Sequence, residues 1–274
     1  MIERILFPVD FSPSCASMAP FVQKAATLFR SSVTLLHVCD LMSHDGFELY
    51  VRSPQEIAET HLCVAQNELE SFLASEFPQA TCRRILRSGD AAAEIVDVAK
   101  TEDIDLIIMP THAGQFRRLV LGSTTAKVLG QVDCPVLTTK HPETIVPAPL
   151  DHRLWLCAVS LSCDSERVLA FASRAAATAG ANLSVIHVID AHDPIQTMEK
   201  SARRRMEKLA QKVGWEGELK IAVGSKKQAL REAAQACDAD LMVIGRALGS
   251  GPFDQIRGLS YELVRDSPCP VVSV

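Results

Sequence analysis

The sequence predicts an α/β chain made of two tandem copies of one small domain, each a parallel β-sheet covered by helices on both faces. Three observations carry that expectation. A set of segments recurs in the same order along the 274 residues. Short, nearly continuous apolar runs alternate with amphipathic stretches, the pattern of parallel strands buried between helices. A proline-rich join separates the two sets.

The first element is the strand-like run from Ile5 to Ser12, which returns from Leu154 to Ser162 with Asp10 opposite Ser160, an offset of 150 residues. A helix follows in each copy. Met18, Val22, Ala25 and Phe29 match Val168, Ala172, Ala175 and Ala179 at the i, i+4, i+7, i+11 spacing of one buried face. The second strand keeps the offset, with Val33, Leu35, Leu36, His37 and Val38 opposite Leu183, Val185, Ile186, His187 and Val188.

The offset then falls to 135, since Gly89 matches Gly224, Asp105 to Met109 matches Asp240 to Ile244, and Cys134-Pro135-Val136 matches Cys269-Pro270-Val271. The first copy therefore carries 15 more residues between Val38 and Gly89, falling around Met42 to Gln55 where turn signals cluster. A helix is expected over 55–77 and its counterpart over 194–213. The join, His141 to Pro149, holds three prolines and suits a semi-rigid linker. The boundaries expected are 1–144 for the first domain, 145–152 for the linker and 153–274 for the second.

Composition excludes several classes. A net charge of -5 without a long Lys/Arg block lacks the cation clustering that phosphate neutralisation demands, so no nucleic acid is expected as partner. No apolar run approaches a membrane span, and Met1 leads straight into a strand-like segment without a signal peptide, so a cytoplasmic chain is expected. Nine cysteines without a Cys-x-x-Cys pair read as reduced packing residues, and eight histidines show no ligand spacing, so no metal is expected. No Gly-x-Ser-x-Gly elbow, Cys/His pair or paired-carboxylate arrangement points to a strong catalytic centre. At most, slow ATP hydrolysis around magnesium and Asp10 is left open.

In a parallel doubly wound sheet, ligands bind beyond the carboxyl ends of the strands where strand order reverses. That directs attention to Val9-Asp10, Val38, Met109 onward and their second-copy partners. The segments Phe7-Pro8-Val9-Asp10-Phe11-Ser12, Leu36-His37-Val38, Asp105 to His112, Leu121 to Leu129 and Cys134-Pro135-Val136 together resemble the universal stress protein family, over essentially the whole chain as a tandem pair. The resemblance implies Rossmann-like, five-stranded, doubly wound domains of the adenine nucleotide alpha hydrolase type. It also implies a pseudo-dimer paired through the last strands, Val136-Leu137-Thr138 and Val271-Val272-Ser273, which is complete alone or pairs again as a homodimer. In one branch of the family ATP binds at Gly-x2-Gly-x9-Gly-Ser/Thr; another branch lacks that motif and binds none.

Carried residue by residue, the resemblance implies that Asp10 meets the adenosine part of a nucleotide and that Val38 lines the adenine. Gly122, Ser123 and Thr124 match the phosphate end and open a helix whose N–H groups suit an anion. Val9, Met109, Thr111 and His112 border the same place. Pro110 and Ala113 stand where the first two glycines belong, with eight residues instead of nine before Gly122. Gly114 takes over if the loop re-registers. Arg117 and Arg118 either supply charge or form a solvated face. In the second copy Gly245 and Gly258 keep the spacing, but Leu248, Leu259 and Ser160 replace the middle glycine, the hydroxyl residue and the aspartate; Arg246, Gly249 and Ser260 leave a polar loop.

Two functions follow as alternatives. One is a stress-response protein that binds and senses ATP or AMP through its first domain, with magnesium accompanying ATP. The other is a stress scaffold without nucleotide, working through an unidentified protein partner. Bland roles stand beside the sharp ones. Gly89-Asp90 and Gly224-Ser225 read equally as turns, Thr111-His112 as packing, and Asp10 as a helix N-terminal acid ahead of a Ser12 cap with Pro13 at the first position.

Overall fold

A computed structural model of the chain describes residues 2–40, 53–111, 121–139, 154–190, 195–246 and 259–274. The first copy runs β1 (Arg4–Val9), α1 (Pro13–Ala16), α2 (Ala19–Phe29), β2 (Ser32–Cys39), α3 (Pro54–Ser71), β3 (Cys82–Ser88), α4 (Ala91–Thr101), β4 (Leu106–Pro110), α5 (Ser123–Gln131), β5 (Val136–Thr139). The second runs β6 (Leu154–Ala158), α6 (Ser165–Ala179), β7 (Asn182–Ile189), α7 (Ile195–Val213), β8 (Glu218–Val223), α8 (Lys226–Ala236), β9 (Leu241–Ile244), α9 (Leu259–Asp266), β10 (Val271–Ser273).

The ten strands form one sheet in the order β3-β2-β1-β4-β5-β10-β9-β6-β7-β8. Every pairing inside a copy is parallel, and the copies join where β5 meets β10 antiparallel, with Thr138 opposite Val271, Leu137 opposite Val272 and Val136 opposite Ser273. The last-strand pairing expected from the resemblance is thus present, and it gives both copies one continuous hydrogen-bonded sheet.

The helix starts follow from local chemistry. Ser12 Oγ accepts from the Cys15 amide to cap α1, with Pro13 at a position that has no intrahelical donor to lose. Ser53 and Glu56 close a reciprocal capping box on α3, and Asp90 accepts from the Ala93 amide at the start of α4. The helix expected over 55–77 stops at Ser71. Phe72 is extended and Leu73 takes φ 50°, so the chain turns back and buries Phe77 edge-on against Phe7, at 6.1 Å between ring centroids. Tertiary burial of that ring overrides a helical pattern. The excess of the first copy is split around α3: residues 40–53 precede it against 190–194 before α7, partly outside the described residues, and residues 72–81 follow it against 214–217 after α7.

On one side of the sheet a single apolar cluster crosses both copies, joining Phe7, Met18, Val22 and Leu137 to Trp155, Val168, Ala172 and Val272. On the other side each copy keeps its own. Leu6, Ile95, Ile107, Val128 and Val136 pack in the first, and Leu156, Met242, Leu263 and Val271 in the second, where Leu121 of the first copy also inserts. Val136 therefore shares its main chain with the second copy and its side chain with the first. All nine cysteines are free; Cys15, Cys82, Cys157 and Cys269 are buried packing residues, but Cys63 and Cys163 are exposed. Among the described residues no helix is long and apolar enough to cross a membrane.

Candidate functional site

In the first copy β1 and β4 pair only at Ile5 with Leu106 and Leu6 with Ile107, whereas the equivalent β6 and β9 pair at four positions, Trp155 to Ala158 with Leu241 to Ile244. Pro8 and Pro110 stand near the facing strand ends of the first copy, where the second has Ala158 and Gly245. A proline brings no N–H to a ladder, so the first copy cannot continue its pairing as the second does. The strands part at the point where strand order reverses, and a cleft of about 380 Å³ opens there.

Six elements line it, α1 through Cys15 alone. Val9 and Asp10 come from the end of β1, Leu36, His37 and Val38 from β2, and Ala91 and Ile95 from α4. Met109 and Pro110 come from β4, and Leu121 to Thr125 from the start of α5. Asp10 is exposed, and its Oδ1 accepts from the Ser12 amide at 3.0 Å and the Ser12 hydroxyl at 2.6 Å. One oxygen therefore shapes the turn into α1, and among the described residues the carboxylate is also the one acid in the wall of the cleft. The β1–β2 register ends at Val9 with His37, but β2–β3 continues to Cys39 with Ser88, so Val38 lies past the end of β1 at the cleft.

Among the described residues the start of α5 has no side-chain cap. Gly122 occupies the N-cap, and its own amide donates to Thr111 O at 2.8 Å. A helix N-terminus without a side-chain acceptor presents unmatched N–H groups and partial positive charge, the combination that holds anions. Ser123 and Thr124 carry those first amides at the cleft. Gly122 has φ -58° and ψ 143°, values any residue adopts, so its backbone conformation does not demand glycine. Beyond the rim, Lys127 binds Asp90 at 2.9 Å and, with the Ala93 amide, holds that carboxyl below the usual carboxylate range.

Other residues of the wall were not singled out from the sequence. His37 donates or accepts through Nδ1 with Val9 O at 2.8 Å and stacks on Phe11 at 4.1 Å; His187 repeats the bond to Val159 O at 2.8 Å. The recurrence of this histidine in both copies was the available signal. Cys15 also faces the cleft, and burial, then the charge of Asp10, pushes its thiol up to about 12.

Not every residue marked in the sequence reaches the cleft. Thr111 is buried and spends its amide and hydroxyl on Thr139 O, each at 3.3 Å. His112, Ala113, Gly114, Arg117 and Arg118 lie outside the described residues, as do Leu248, Gly249 and Gly258. Gly89 and Gly224 are turns with φ 142° and 138°, their amides donating to Cys39 O and Ile189 O. In the second copy Ser160 reproduces the turn of Asp10 without the charge, its hydroxyl 2.8 Å from Ser162 Oγ. A Cβ at Gly245 would press on Val168 Cγ2 at 3.1 Å, a tight contact that the valine would have to yield to by a few tenths of an ångström. Ser260 Oγ donates to Gly245 O at 2.9 Å, as Thr125 Oγ1 does to Pro110 O at 3.1 Å. Both hydroxyls pin the first turn of a helix to the end of a strand. Arg246 is turned away from its own copy, and its guanidinium donates to carbonyls of the first. Among the described residues no group of three or more His, Cys, Asp or Glu side chains is placed to hold a metal ion.

The family model of the universal stress protein family matches residues 1–140 and 155–274. A universal stress protein of Methanocaldococcus jannaschii is 30% identical over 160 residues, covering 52% of this chain and 96% of that protein. A universal stress protein A homolog of Coxiella burnetii is 28% identical over 141 residues, covering 50% of this chain and 94% of its own length. Among solved structures, a universal stress protein from Archaeoglobus fulgidus superposes with TM-score 0.76 at 22% identity, over 100% of this chain and 98% of that one, which shows the fold. With both copies matched by one family model and the whole tandem matched in three dimensions, the chain belongs to the universal stress protein family.

Proposed function

We propose that the first copy binds an adenine nucleotide in the cleft between β1 and β4 and that the chain works as a nucleotide-responsive stress protein. The observation that carries this is the meeting, in one cleft, of a carboxylate, an uncovered strand end and a helix N-terminus uncapped among the described residues, which lie far apart in sequence: Asp10, Val38, and Ser123 with Thr124. Each suits a different part of one ligand. A flat base stacks along the apolar wall of Val38, Ile95 and Met109; hydroxyls of a sugar donate to the Asp10 carboxylate; phosphates accept from the first amides of α5. About 380 Å³ is within the size range of small-molecule sites. Among the described residues Asp10 is the wall's acid and the natural neighbour of a magnesium ion accompanying ATP.

The second copy serves in this reading as a support for the first. Ser160 brings no charge, the strands β6 and β9 stay paired to their ends, and Arg246 points at the first copy. The test is denaturing release of bound small molecules identified by mass spectrometry, followed by calorimetric titration with ATP and magnesium. Recovered nucleotide, or binding near one site per chain, is expected. Asp10→Ala is expected to abolish it while circular dichroism stays unchanged, and unaltered affinity would remove Asp10 from the site. A folded sample with no nucleotide and no heat refutes the reading and leaves the scaffold alternative.

A further inference from the structure

The helix that offers its N-terminus to the cleft is held at its other end by the second copy. α5 is nine residues long, so its ends are about 13 Å apart at 1.5 Å per residue. The carbonyls that close it have no partners within the helix. Arg246 meets one of them, Leu129 O, and reaches on to the carbonyls of the C-cap Val132 and of the two residues after it. Its Nη1 donates to Leu129 O at 3.3 Å and to Val132 O, and its Nη2 to Asp133 O at 3.3 Å and Cys134 O at 2.7 Å. The side chain is buried, and burial lowers its pKa to about 10, which leaves it charged at neutral pH against the negative end of the helix.

A second contact acts at the opposite end. Leu121, the residue before the Gly122 N-cap, is buried among Leu156, Met242, Ile244 and Leu263 of the second copy. α5 is thus gripped by the second copy immediately before its first turn and immediately after its last. Among the described residues the Arg246 contact has no mirror image. The position equivalent to Arg246 in the first copy is Thr111; both amides donate to a strand-end carbonyl, Thr139 O and Val274 O, but the short threonine side chain stays within its own copy.

From this we infer that Arg246 is a positioning residue for the cleft of the first copy: by capping α5 from the second copy it sets the placement of the Ser123 and Thr124 amides, and so makes ligand affinity in one copy depend on the other. The inference about affinity rests on the nucleotide reading above, whereas the mechanical part does not. By linkage, a ligand held by the α5 amides strengthens the pairing of the copies as much as that pairing strengthens its binding.

The first arm of the test needs no ligand. Hydrogen exchange is followed in the full chain for wild type, Arg246→Met and Arg246→Lys. In Arg246→Met the amides of Ala126, Lys127 and Val128, near the cleft end of α5, are expected to exchange about tenfold faster, with those of α4 at the wild-type rate. Arg246→Lys, which keeps the charge without the fork, is expected to fall between. Acceleration confined to residues 129–134, or equal acceleration in α4, overturns the inference. Should Arg246→Met fail to fold, Arg246→Lys is judged by the same criterion.

The second arm is titration with ATP and magnesium. Arg246→Met is expected to weaken binding about tenfold and Arg246→Lys to recover part of it. Unchanged affinity in a folded Arg246→Met overturns the inference. A wild type that binds no ATP overturns the nucleotide reading instead, and the exchange pattern alone then decides whether the clamp exists.

Discussion

Replacing Leu137 by alanine tests whether the two copies are one cooperative body. Leu137 is 3% exposed, lies opposite Val272 across the β5–β10 junction, and belongs to the cluster that crosses both copies. Removing most of a buried leucine costs roughly 2–5 kcal/mol, more where the surroundings cannot collapse into the space. Strands flank β5 on both sides, β4 and β10, and hold the site open, so about 3 kcal/mol is expected. For one cooperative unit of 274 residues, at an unfolding entropy of about 2.1 cal/mol/K per residue, that corresponds to a fall of about 5 °C in Tm. Leu137→Ile, which keeps the volume and suits a strand, is expected to lose less than about 1.5 kcal/mol. Differential scanning calorimetry on the three proteins measures this, and one transition is expected throughout. A fall under about 2 °C for Leu137→Ala, or a split in which one transition stays at the wild-type temperature, would refute the claim that the shared cluster joins the copies energetically.

Two further expectations concern titratable groups. Burial holds His187 below its ordinary value of 6.5, with Arg205 and Lys226 adding to the effect against the bond to Val159 O. The unfolded chain then binds the proton more readily, so the stability from neutral His187 is fully present above the unfolded value and is lost as pH falls through the lowered folded one. Urea midpoints should therefore drop between pH of about 7.5 and about 5.5 by more in wild type than in His187→Gln; equal drops would exclude His187 as a contributor. The thiols should divide by exposure. Cys63 and Cys163 are exposed, while burial pushes Cys15, Cys157 and Cys269 up to about 12, so brief alkylation at mildly alkaline pH should modify the first two and spare the last three. Early modification of Cys15 would mean that the floor of the cleft opens in solution.

Much of the architecture is legible before any coordinates, because it rests on local chemistry. The recurrence of Ile5 to Ser12 and Val33 to Val38 in the second half identifies the repeat, and the periodicity of Met18, Val22, Ala25 and Phe29 identifies the buried face of α2. Ser12-Pro13 announces the start of α1 in the residues that make it and the turn signals up to Gln55 announce α3, whereas Asp90, read as a turn, proves to cap α4. Where these signals failed, a distant partner had intervened. The end of α3 is set by the burial of Phe77 against Phe7, which no window around Ser71 contains. Asp10, Val38, Gly122, Ser123 and Thr124 were found because a motif names them, and they do line one cleft. His37, Cys15 and Ile95 were missed because only the folding of separate elements brings them to it.

Arg246 marks the division most clearly. In the sequence it is a cation beside Gly245, in the loop position where a ligand would be met. Only the antiparallel joining of β5 and β10 carries it to the end of α5, where four carbonyls of the other copy take its charge. Sequence alone determined the repeat, the α/β class and the residues that cap and face each element, since propensity, periodicity and capping act over a few neighbours. Tertiary structure decided where the strands of the first copy part, which residues line the cleft there and to which helix Arg246 is bound. Those outcomes depend on groups more than 100 residues apart in the chain, 117 between Arg246 and Leu129, and nothing brings such groups together until the sheet has formed.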